Sequence, residues 1–126
     1  MKLKSFIIMT SFLVANASLA QTKQTVCSVT INSSEEIEIF KRNLNPQEFN
    51  FVELTDYKAS DSNSSFLNAA CDAGVTCDIL LISGHFAGSF FGKSDLKIPM
   101  EKLEEASCNR KCDGILHHPR EVFLSG

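Results

Sequence analysis

Cys77-Asp78-Ile79-Leu80-Leu81-Ile82-Ser83-Gly84-His85 is the stretch on which the reading of this chain turns. Four consecutive aliphatic residues without polar alternation suit a strand buried on both faces, as in a parallel sheet covered by helices. The run ends in Gly84 and then His85, just past the carboxyl end of the strand, where open α/β sheets gather their ligands and chemistry. The bland counterpart is a solvated strand-end histidine, and a fold alone does not decide between the two.

Working outward, Gln24 to Ile31 alternates Val26, Ser28 and Thr30 with Cys27, Val29 and Ile31, and its β-branched content predicts a first strand. Ser33 and Glu36 have capping-box spacing, and Ile37, Phe40 and Leu44 follow at helical intervals until Asn45-Pro46. This predicts a helix, although Ile37 and Ile39 also alternate as a strand would. Phe49 to Leu54 reads as a second strand and Lys58 to Ser65 as a polar surface loop. Phe66, Leu67, Ala70, Cys71 and Ala73 form a helical stripe, with Gly74 placed for a left-handed cap. Beyond His85, Ala87 to Gly92 and Leu96 to Ile98 suggest a small hairpin around a polar turn. Pro99 suits a helix start, with Met100 and Leu103 on one side, acidic residues in the amino half and Arg110 and Lys111 after the end. Glu121 to Gly126 reads as a further buried strand. The order predicts an α/β fold with a mostly parallel sheet, helices on both faces and a small β-hairpin after the central strand.

Lys2 and Lys4, the apolar core from Phe6 to Val14 and the small residues Ser18-Leu19-Ala20 have the form of a secretory signal peptide over residues 1–20. That core is too short to span a bilayer. Residues 21–126 are expected to form a single domain of an exported protein, with no membrane partner. Without the signal, ten basic residues face fifteen acidic ones, a balance that argues against nucleic acid as partner.

Five cysteines bear on an exported chain. Cys71 and Cys77 bracket the entry to the central strand, and Cys108 and Cys112 precede the last one, so all four are expected at the end of the sheet opposite His85. Two disulfides are the default, with unpaired thiols the next reading. Connectivity stays open: either each pair closes its own short loop or two bridges tie the segments together. Cys27 is left over, as a buried thiol behaving like a small apolar residue. A zinc site is the sharper alternative, since His117 and His118 follow Cys108 and Cys112 and four N or S ligands would complete a tetrahedron. The spacings are looser than in zinc fingers or ribbons, and no Cys-x-x-Cys occurs.

A strand ending Ser83-Gly84-His85, a small hairpin ending Leu96-Lys97-Ile98, a helix, and a second strand ending Leu124-Ser125-Gly126 resemble the caspase-like cysteine peptidase fold, with its CHAT branch the nearest. The resemblance implies that His85 is the catalytic histidine and that Leu124-Ser125-Gly126 lead up to a nucleophilic cysteine at the next position. It also implies that the backbone around Gly84 and Phe86 bears on the oxyanion. The chain departs from the family at Phe86, where glycine usually follows the histidine. The implied chemistry uses a peptide or protein substrate and no cofactor or metal: the imidazole holds the thiol as thiolate and then protonates the leaving amine, while backbone donors stabilise the oxyanion. On this reading residues 21–126 are the amino-terminal part of a domain that continues, inactive as they stand. The alternative is a non-catalytic secreted α/β interaction module, stapled by disulfides or by a structural zinc.

Overall fold

The computed structural model describes residues 21–57 and 65–126. The signal-peptide reading, and all but the last residue of the Lys58 to Ser65 loop, lie outside them. Four strands, β1 (Gln24–Thr30), β2 (Phe49–Glu53), β3 (Ile79–Ser83) and β7 (Glu121–Ser125), form a wholly parallel sheet in the order β2-β1-β3-β7. Three short strands, β4 (His85–Phe86), β5 (Ser89–Phe91) and β6 (Ile98–Pro99), form an antiparallel sheet beside it. The predicted α/β class is what the chain adopts.

The apolar run Ile79 to Ile82 is internal, flanked by β1 and β7, which is why it needs no polar face. Cys27, Val29, Leu80 and Ile82 pack into one cluster with residues of α2 (Phe66–Asp72), α3 (Met100–Cys108) and α4 (Asp113–Leu116). On the other side α1 (Ser34–Arg42) lies against the sheet, its Phe40 ring 5.2 Å from Phe123 of β7.

Local chemistry explains most boundaries. The Ser33 hydroxyl accepts from the Glu35 amide at the start of α1, and the Ser65 hydroxyl accepts from the Asn68 amide at the start of α2. Gly74 follows α2 at φ 73°, the left-handed conformation that a residue without Cβ takes cheaply. The helical reading of α1 prevails over the strand reading, because Ile37 is buried at 2 % exposure whereas Ile39 is 50 % exposed. Alternation would have put both on one face.

Three elements escape sequence patterning. Leu54 does not extend β2 but is buried in a single 3-10 turn over Leu54–Asp56. The four-residue α4 is too short to show periodicity. The hairpin gains a strand, since His85–Phe86 pairs with β5, His85 opposite Phe91 and Phe86 opposite Phe90.

Two expectations need correction. The strand from Glu121 is not buried: it is the edge of the sheet in the described residues, with Val122 56 % and Leu124 63 % exposed. Apolarity reports what a strand can bury, and the cluster that covers Leu80 and Ile82 does not extend over their β7 partners. The cysteine pairing also differs, for Cys27 is no free thiol but is bonded to Cys77, and Cys71 is bonded to Cys112. Cys108 is left free and exposed. Cys27 lies within β1 beside the strand that Cys77 enters, and the Cα atoms are 5.6 Å apart, a separation a disulfide spans naturally. Two disulfides suit an oxidising, extracellular-type environment. Among the described residues no helix is long and apolar enough to cross a membrane.

Candidate active site at the carboxyl edge of the sheet

β3 delivers its last residue, Ser83, opposite Ser125 of β7, and the Gly84 amide donates to the Ser125 carbonyl at 2.7 Å. The two strand ends approach so closely beyond this point that a Cβ on Gly126 would stand 2.5 Å from the Gly84 carbonyl oxygen and 3.1 Å from the His85 nitrogen. Only glycine permits that contact. Gly126 therefore lies against the backbone that carries His85.

His85 is exposed, and its ring packs on Phe91 with centroids 5.7 Å apart. Phe86 points the other way along β4 and packs on Phe90 at 5.0 Å, yet it remains 54 % exposed. The small sheet thus fixes the histidine through the partner strand: pairing with Phe91 sets the backbone, and the ring of the same residue backs the imidazole. Phe86 keeps its amide beside the site, but its large side chain occupies the position at which glycine would leave the backbone bare.

Two carboxylates, Glu36, expected only as a helix cap, and Glu53, also stand at this edge. Glu36 does not complete the capping box toward Ser33. Its Oε2 accepts instead from the Ser83 hydroxyl and, at 3.5 Å, from the Ser125 hydroxyl. Glu53, at the end of β2, accepts from the hydroxyls of Ser28, Thr30 and Thr55 at 2.7, 2.8 and 2.7 Å and from the Thr30 amide at 3.0 Å. Burial pushes the Glu53 carboxyl upward, but the hydrogen bonds from Thr55, Ser28 and Thr30 outweigh it and hold the group below its ordinary value of 4.5. The signal for Glu53 was present in the chain: Ser28 and Thr30 share a face with Val26 on a strand that is buried, so their hydroxyls needed an acceptor nearby.

The cysteines and remaining histidines cluster elsewhere. Cys77, before β3, donates its amide to the Gly114 carbonyl of α4, and Cys112 immediately precedes that helix. His118 Nδ1 sits 2.9 Å from the Cys77 carbonyl oxygen, and His117 Nε2 sits 2.9 Å from the Ser107 hydroxyl. These contacts surround the entry to β3, whereas His85 follows its exit. The zinc reading fails here, because Cys112 is bonded to Cys71 and has no thiolate to offer. Among the described residues no group of three or more His, Cys, Asp or Glu side chains is arranged to hold a metal ion.

No protein-family model, characterised protein or solved structure matches this chain.

Proposed function

We propose that this chain is the amino-terminal part of an exported caspase-like cysteine peptidase domain of CHAT type. In it His85 acts as general acid/base toward a cysteine directly following Gly126. The observation that carries the reading is the approach of Gly126 to the Gly84 carbonyl and the His85 nitrogen, at the carboxyl ends of two adjacent parallel strands. A residue following Gly126 would leave from beside the backbone that carries His85, and a thiol there would need to come within hydrogen-bond reach of its base. The imidazole would take the thiol proton, the thiolate would attack a peptide carbonyl, and the protonated ring would return the proton to the departing amine. The Gly84 amide is engaged by the Ser125 carbonyl, so the backbone donor that would face the oxyanion is the Phe86 amide. The substrate would be a peptide or protein, and the two disulfides, with the leader-like pattern of residues 1–20, support its encounter outside the cytoplasm.

The test is the gene product extending past Gly126, assayed on fluorogenic peptides with the residue after Gly126 and His85 replaced by alanine separately. Each replacement is expected to lower kcat/KM by about a thousandfold or more. A residue without a thiol after Gly126, or full activity in His85→Ala, overturns the reading.

A second reading is favoured by a separate observation. Phe86 stands in place of glycine with its ring half exposed, and one disulfide ties β1 to the entry of β3 while the other ties α2 to the start of α4, as befits a non-catalytic secreted α/β interaction module. Absence of turnover together with retained folding of the extended product would select it.

A further inference from the structure

We propose that Glu36 is a positioning residue: its carboxylate clamps the ends of β3 and β7 and so fixes His85 against Gly126. As a statement about strand ends this stands on hydrogen bonds alone; its bearing on catalysis rests on the peptidase reading above. Ser83 and Ser125 are cross-strand partners, and each is the last residue before the backbone that forms the site. The Ser83 side chain is fully buried, so its hydroxyl must be satisfied within the protein. That hydroxyl has one proton to give, and it lies within reach of Glu36 Oε2 and of the Ser33 carbonyl at 3.1 Å. The Ser125 hydroxyl turns to the same Glu36 oxygen. One carboxylate from the first turn of α1 thus gathers a hydroxyl from each of two adjacent strands, and a charged acceptor makes the stronger hydrogen bond. Phe40 of the same helix packs on Phe123 of β7, so α1 holds that strand at two separate points. Neither contact touches the reacting atoms.

The measurement is amide hydrogen exchange by NMR on the disulfide-bonded protein, followed at Gly84, whose N–H bridges to Ser125. In Glu36→Ala exchange at Gly84 is expected to quicken about tenfold, with the Leu81 amide unchanged and the His85 ring resonances displaced. Glu36→Gln keeps a side-chain oxygen as acceptor and is expected to stay within about threefold of the parent, with the His85 resonances restored. Ser125→Ala, on the edge strand, leaves the backbone bond intact and is expected to quicken Gly84 less than Glu36→Ala does. It also serves as the measurement if Glu36→Ala fails to fold. Parental exchange at Gly84 in Glu36→Ala or in Ser125→Ala overturns the clamp, as does Glu36→Gln behaving like Glu36→Ala. Peptide cleavage enters none of these readouts, so the clamp and the peptidase reading fail separately.

Discussion

Glu53 shows how one residue can set the acid limit of this fold. Three hydroxyls and two amides converge on its carboxylate, and together they hold its pKa down against the effect of burial. Its folded pKa is lowered from 4.5 while the unfolded chain keeps the ordinary value, so the native state binds fewer protons at moderately acid pH. The resulting stability is fully present above about pH 4.5 and drains away as pH falls through the folded pKa. Denaturant melts of Glu53→Gln between pH 3 and 7 should therefore show a flatter acid limb than the parent. At neutral pH the variant should lose about 1–3 kcal/mol, because the amide nitrogen of Gln offers donors to groups that are already donors. Cys108 gives a second residue-scale expectation. As the exposed free cysteine it should take up one equivalent of iodoacetamide under native, non-reducing conditions, and reduction with unfolding should expose all five. Labelling of two or more before reduction would show that Cys27–Cys77 or Cys71–Cys112 had not formed.

At the scale of elements, α1 separates periodicity that is used from periodicity that is accidental. Ile37 is buried beneath the helix and Ile39 is half exposed, although the two are equally apolar and two residues apart. Ile37→Ala should cost about 2–5 kcal/mol through lost burial and an unfilled cavity. Ile39→Ala should change stability by about 0.5 kcal/mol or less. Chemical denaturation of the pair checks the helix directly, since equal losses would restore the strand reading. β7 makes the complementary point. Val122 and Leu124 belong to the same apolar vocabulary as Leu80 and Ile82, their cross-strand partners, yet they are exposed and the partners are buried. Composition was legible and burial was not, because burial depends on what packs over a strand: β2 is an edge as well, yet its apolar residues are partly buried.

For the whole molecule, the disulfides tie together segments that the chain keeps far apart. Cys27–Cys77 closes a separation of 50 residues and Cys71–Cys112 one of 41, and the two loops interleave. In chain-entropy terms each closure stabilises a fold of this size by about 4 kcal/mol. Replacing Cys71 and Cys112 together by serine should accordingly cost about 2–5 kcal/mol and lower the midpoint of thermal unfolding. Residues 21–126 by themselves should not cleave peptides, because four cysteines are oxidised and Cys108, one residue beyond the Ser107 that meets His117, lies toward the entry end of the sheet. Turnover by those residues that survives iodoacetamide, but not mutation of His85, would demand a different nucleophile.

The order of the longer strands and helices, the parallel sheet around Ile79 to Ile82, and His85 just beyond the exit of that strand were legible in the chain alone. Those features are local: an unbroken apolar run, a capping serine or a glycine after a helix carries its meaning within a few residues. Only the tertiary structure decided that Cys27 bonds Cys77, that Glu36 reaches Ser83 and Ser125, and that Glu53 gathers Ser28, Thr30 and Thr55. Each of these joins residues from different elements, most of them tens of positions apart. Hydrogen-bond and disulfide partners are chosen by distance in space, and the stacking order β2-β1-β3-β7 brings those distances within range.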